Sequence, residues 1–233
     1  MDNAELLTRV RELRAQGRSP KEIARALGVS PSTVAPLVRA IAAEGDGGGR
    51  AGEVFGCWVN TGWSVGLGVD ATRGWTDEAP GAQDTAGMVS VLVARRHGWD
   101  KVSICGYLVD VYCLGVKNVL GPDVMDEVSL RKTREFFFSD YAGWQEVPLE
   151  LARHLVFGGV EYARGLGFEP HEDFPQVSGH LGDQPAPPIT FGREGRPFYM
   201  AGPRDDARKV IRTLERAVGS DGFDAFVGAR PTI

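Results

Sequence analysis

Side chains able to move protons or hold a metal gather in two stretches of the C-terminal half. Residues 148–166, "PLELARHLVFGGVEYARGL", have the apolar spacing of a helix. At about 100° per residue, His154, Gly158, Glu161 and Gly165 fall within about 60° of one another. Such a face is not an ordinary core stripe, because its glycines admit a ligand or another backbone. The chain then runs into "FEPHEDF", which supplies His171, Glu172 and Asp173. Upstream, "GYLVDVYCLGVKN" sets Asp110 inside an apolar strand, with Lys117 at the strand's end.

Two chemistries fit these residue types. His154, Glu161, His171 and Asp173 could converge on a divalent metal, with Asp110 as a further ligand or base. Alternatively, Asp110, Lys117, His154 and Glu161 could do general acid–base work without a metal. The His-x6-Glu spacing is not the two-turn HExxH arrangement of zinc proteases. A plainer reading gives these residues structural duties: His154 donating to a carbonyl, Asp110 paired with Lys117, and "GFEPHEDF" as a capped loop. The helix geometry predicts that the His154 face is covered, with the Asp110 strand and the His171 loop as the expected cover. An imidazole between two carboxylates should titrate above its ordinary value, whereas a bound metal would hold it neutral. The glycine-rich "NTGWSVGLG" lacks the Gly-Lys-Ser/Thr of a phosphate cradle and reads as a turn between strands, with Trp58 and Trp63 packing. No Gly-x-Ser-x-Gly elbow occurs in the sequence.

The elements that would position these residues follow from periodicity. "VFGCWVN", "MVSVLVARR" and "KVSICGYLVDVY" read as strands, the last two joined by the hairpin loop "HGWD". Helical patterns follow at about 123–141 and 148–166. A proline-rich loop, short strands "ITFG" and "PFYM", and a helix from about Pro203 to Val218 complete the chain. Strands first and helices later predict an α+β domain over residues 53–233, with a mixed, mainly antiparallel sheet.

Ahead of this domain, residues 44–52, "EGDGGGRAG", have the composition of a flexible linker. Residues 1–43 predict a three-helix module. Leu6, Leu7, Val10 and Leu13 share one face of the first helix. Ser19, Pro20 and Glu22 form a helix-start signal, Gly28 ends the second helix, and Ser30 caps a third that carries Val34, Leu37, Val38 and Ile41. Over about residues 4–43 the segment resembles the helix-turn-helix of bacterial transcription regulators. The resemblance implies that the third helix enters the major groove of DNA. Arg18, Lys21, Arg25 and Arg39 are the expected phosphate contacts, Ser32 and Thr33 lie at the reading end, and Arg39 alone has the reach for guanine. Pro36 requires that helix to start late, and the face is poor in base readers, which leaves protein contact or dimerisation as the alternative use.

The stretches "CGYLVDVYCLGVKNVLGP", "PLELARHLVFGGVEYARGLGFEPHEDF" and "ITFGREGRPFYMAGP", covering about residues 87–203, resemble a bacterial protein family with no established activity, so the resemblance implies no mechanism. Composition narrows the classes. The chain of 233 residues is 42% apolar and carries a net charge of −5. Residues 1–50 contribute +2 and residues 51–233 contribute −7, so DNA contact is expected from the N-terminal segment alone. The longest apolar run, Met88 to Ala94, is far too short for a membrane span, and no secretion signal is recognisable. Three unpaired cysteines point to a reducing cytoplasm. The combined expectation is a cytoplasmic, DNA-binding regulator with a ligand-sensing or interaction domain, as a possible homodimer. The alternative is an enzyme, for example a metal-assisted hydrolase, whose helical module contacts protein.

Overall fold

The computed structural model describes residues 3–15, 18, 20–31, 33, 34, 37, 52–81, 85–98, 100–183 and 188–227. The chain divides into two compact units, Met1–Arg50 and Ala51–Ile233.

In the first unit, helix α1 spans Asn3–Ala15 and α2 spans Pro20–Leu27. Their apolar faces meet in a small core of Leu6, Val10, Ile23 and Ala24, which Val34 joins from beyond α2. Gly28 follows α2 with φ +66°, a left-handed conformation that costs a glycine little. Two residues on, the Ser30 hydroxyl accepts the Thr33 N–H at 3.2 Å, which starts a new helical turn. Pro31, Thr33, Val34 and Leu37 have helical backbone. The expected cap Ser19, the linker up to Ala51, and Pro36 lie outside the described residues.

The second unit is mixed α+β, built on a five-stranded antiparallel sheet of order β5-β4-β3-β1-β6. Its strands are β1 (Val54–Asn60), β3 (Met88–His97), β4 (Lys101–Asp110), β5 (Gly115–Asp126) and β6 (Trp144–Glu146). Alternation along the strands sends side chains to two covered faces. Cys57, Val59, Val91, Val93, Cys105, Tyr107 and Val109 pack with Leu151, Leu155, Val156 and Val160 of helix α4 (Leu149–Gly165). Trp58, Leu92, Ala94, Val102 and Ile104 pack on the other side with Leu130 and Phe138, from and just after helix α3 (Glu127–Phe137). Each of the fully buried leucines contributes roughly 1.5–3 kcal/mol of burial free energy. Two-sided burial explains why β3 reads as an almost unbroken apolar run.

Smaller pieces complete the unit. β2 (Gly68–Val69) pairs with β7 (Ile189–Thr190), and β8 (Phe198–Met200) pairs in parallel with β9 (Asp224–Phe226). Helix α5 is Phe174–Ser178, and α6 is Ala207–Val218. The helix expected over 123–141 begins only at Glu127, because residues 115–126 pair with β4 as β5. The last helix starts at Ala207 rather than Pro203, where the Asp206 carboxylate caps the Lys209 N–H at 3.1 Å. "NTGWSVGLG" is a turn, as its composition predicts, and Asp77 holds it by accepting from the Gly62 and Ser64 N–H groups at 2.9 and 3.1 Å. Among the described residues, no helix is long and apolar enough to cross a membrane.

Candidate functional site

Asp110 ends β4 and folds the next turn onto itself. Its Oδ1 accepts the backbone N–H groups of Tyr112 and Cys113, both at 3.0 Å. The residue is buried, and burial pushes its carboxyl up to about 6, with the backbone donors and the charge of Lys117 limiting the rise. Lys117 itself does not bond Asp110, as the sequence suggested. Its Nζ lies 3.1 and 3.0 Å from the two oxygens of Asp205. Burial works against ionising Asp205, but the N–H of Gly202, Lys117 and the Tyr199 hydroxyl together outweigh it and hold the carboxyl below its ordinary value. Gly202 leaves room for this pair, since a Cβ would stand 3.0 Å from Asp205 Oδ2 and 3.2 Å from Lys117 Nζ and press on both side chains. Cys113 and Tyr162 adjoin the network. Burial raises the Cys113 thiol, with Asp110 adding to the effect, and the Tyr162 hydroxyl is buried without a hydrogen-bond partner.

This network borders a cleft of about 400 Å³ whose polar rim includes Lys117, His171, Asp205 and Lys209, with Leu114 and Val210 as apolar lining. The loop after α4 reaches it through Gly167 (φ +90°), and the His171 N–H is bonded to the Val116 carbonyl of β5 at 2.9 Å. His171 Nδ1 accepts the Asp173 N–H at 3.3 Å, so a neutral ring carries its proton on Nε2. Basic and acidic groups thus face a pocket with an apolar lining, an arrangement suited to a small polar ligand.

His154 lies elsewhere. It is 3% exposed, beside the Trp75 ring with centroids 5.2 Å apart. Its Nε2 is 3.8 Å from Glu150 Oε1, which in turn is 2.7 Å from Arg73, and its Nδ1 is buried without a partner. Burial lowers the His154 pKa, Glu150 opposes the shift and Arg73 reinforces it. The raised pKa expected from two carboxylates is therefore overturned, because desolvation outweighs one half-exposed glutamate. Glu161 is exposed and is not among the charged neighbours of His154. The glycines between them serve packing: a Cβ on Gly158 would stand 2.6 Å from Phe191, and one on Gly159 would stand 2.8 Å from Val109. On this face, His154 meets Trp75 and Gly158 meets Phe191. Among the described residues, no three His, Cys, Asp or Glu side chains are grouped so as to hold a metal ion. The set His154, Glu161, His171 and Asp173 does not converge. His171 and Asp173 are neighbours, with Nδ1 3.8 Å from Oδ2, whereas His154 is buried beside Trp75 and Glu161 is exposed.

In the N-terminal unit, Arg18, Arg25 and Thr33 are exposed. Arg18 and Arg25 border one shallow recess together with Glu22. The side chain of Lys21, and Ser32 and Arg39 as a whole, lie outside the described residues. Sequence reasoning missed Asp205, Lys209, Tyr162 and Tyr199. A signal for the first was present in "RDDARK", where one aspartate caps a helix and leaves its neighbour for another duty. No protein family, curated protein or solved structure matches the chain.

Proposed function

We propose that this chain is a DNA-binding regulator whose N-terminal unit engages DNA as a helix-turn-helix and whose larger domain binds a small polar ligand in the Lys117–His171–Lys209 cleft. The observation that carries the reading is the turn after α2: Gly28 at positive φ, then the Ser30 hydroxyl capping Thr33. That turn sets one helical segment against the next around Ile23, Ala24 and Val34. Helix pairs joined by a tight glycine-containing turn are the unit that docks in a major groove. Arg18 and Arg25, exposed beside it, supply phosphate contacts, and Lys21 and Arg39 extend the set in sequence. A homodimer would present two such units to a two-fold operator.

The test is fluorescence anisotropy of the full chain with a pool of labelled duplexes across a salt series. About four phosphate contacts from this unit alone should lower affinity at least roughly a hundredfold between 50 and 200 mM salt. The double substitution Arg18→Gln/Arg25→Gln should reduce the slope of log affinity against log salt by about 1.8. Binding that ignores both salt and this substitution would overturn the proposal. For the cleft, Lys117→Met should abolish any thermal stabilisation that a panel of carboxylates and amines gives the parent protein.

A further inference from the structure

Helix α6 carries its charges in an uneven way. Its sequence, ARKVIRTLERAV, places Arg208, Arg212 and Arg216 at successive four-residue steps, with Lys209 beside them. At about 100° per residue, all four lie within about 100° of arc. Leu214 is buried on the opposite side, against Cys113, Leu166 and Tyr199. All four basic residues are exposed, and Arg204 is exposed in the turn just before the helix. Among the described residues, no carboxylate forms an ion pair with any of the five; Arg216 bonds only the Arg212 carbonyl and the Thr213 hydroxyl of its own helix. Two of the nearby acids are engaged elsewhere, and a third lies among the basic residues without an ion pair to them. Asp205 holds Lys117, Asp206 caps the helix, and Glu215 alone shares the exposed face.

Like charges four apart on a helix repel, so this arrangement weakens the helix that bears it. It also stands on a unit whose sequence is net acidic, −7 over residues 51–233. We infer that the exposed face of α6 is a contact surface for the phosphate backbone of duplex DNA. Successive arginines are spaced about 6 Å along the helix axis, a regular row of planar forks that bind phosphate in pairs. No aromatic or large aliphatic side chain shares the stripe. A protein partner would need such an anchor at the centre of its interface, and a single strand would need aromatic platforms for its bases. Phosphates of a duplex need neither. The inference extends the proposed DNA binding to a second surface, which makes contact without reading sequence.

The experiment uses the full chain and duplexes of unrelated sequence. Arg208→Gln/Arg212→Gln/Arg216→Gln should lower the slope of log affinity against log salt by about 2.7, equally for every duplex. The corresponding Arg→Lys triple variant, which keeps the charges, should retain the slope and guards against loss of fold. Removing the repulsion should leave the melting temperature of the Gln variant at or above that of the parent. An unchanged slope in the Gln variant overturns the inference while leaving the helix-turn-helix proposal standing, provided Arg18→Gln/Arg25→Gln still reduces it. A slope lost with the α6 variant but insensitive to Arg18 and Arg25 supports the α6 surface and overturns the helix-turn-helix. Polyglutamate displacing the duplex as well as unlabelled DNA of equal charge would assign the stripe to acidic proteins and overturn the DNA assignment.

Discussion

Asp110 and His154 are both buried titratable groups, and they affect stability in opposite pH ranges. The Asp110 carboxyl is raised to about 6 from an ordinary value of 3.8. Its protonated form therefore favours the folded state, a contribution fully present below about 4 and lost as pH rises through about 6. Asp110→Asn keeps an acceptor for the Tyr112 and Cys113 N–H groups but removes the buried charge. Relative to the parent, the variant should gain up to about 3 kcal/mol between pH 4 and 7, read from urea unfolding at a series of pH values. A stability difference that stays constant over that range would contradict the assignment. The His154 pKa is lowered, so its neutral ring supports the fold at neutral pH, and that support fades as pH falls below about 6.5. NMR titration should place the His154 midpoint below about 6.5. At this scale the sequence was a partial guide. The presence of His154 and Asp110 in apolar surroundings was legible, and so was the unusual helix face. Glu150 was equally legible, since it precedes His154 by four residues on the same helix and so lies beside it, whereas Arg73 and Trp75 come from a distant segment and only packing brings them to this place.

The elements were legible where one periodicity governed a whole segment. β1, β3, β4 and α4 follow directly from apolar runs or helical spacing. β5 was not recognised, since "GVKNVLGPDVMD" interrupts its alternation with Gly121 and Pro122, and its register against β4 shifts beside Gly121, between Ile104 and Gly106. Its last residues, Asp123–Asp126, were therefore absorbed into the helix that follows. Within α4, the glycines have different duties. Gly158→Ala would force a methyl against the Phe191 ring and should cost about 1–3 kcal/mol. Gly165 has nothing within 4 Å of its absent Cβ, so Gly165→Ala should be neutral or stabilise by up to about 1 kcal/mol. Chemical denaturation of the two variants compares them directly, and equal losses would contradict the packing described for Phe191.

At the scale of the whole molecule, the described core residues of the two units form separate sets. The N-terminal core draws on Leu6 to Val34, while the other three clusters begin at Cys57 or later, with Phe55 packed against one of them. The large unit is tied in from Gly52, whose carbonyl accepts from Arg95 at 2.7 Å. A chain starting at Gly52 should therefore unfold cooperatively at the temperature of the corresponding transition in the full protein. The N-terminal unit, a chain segment of about fifty residues with a correspondingly small core, should give a separate and lower transition. One shared calorimetric transition would show that the units are coupled. The order of the central sheet also bears on the path by which it forms. β3, β4 and β5 are consecutive in the chain and adjacent in space, so two hairpins assemble with little loop closure. β1 must instead reach β3 across the residues between them, and β6 joins β1 only after α3 has been laid down. The 88–126 meander is thus the expected nucleus, and the β1–β6 edge the late addition. Val109→Ala should chiefly slow refolding, whereas Val59→Ala should chiefly speed unfolding, a division that the two arms of a stopped-flow chevron would reveal.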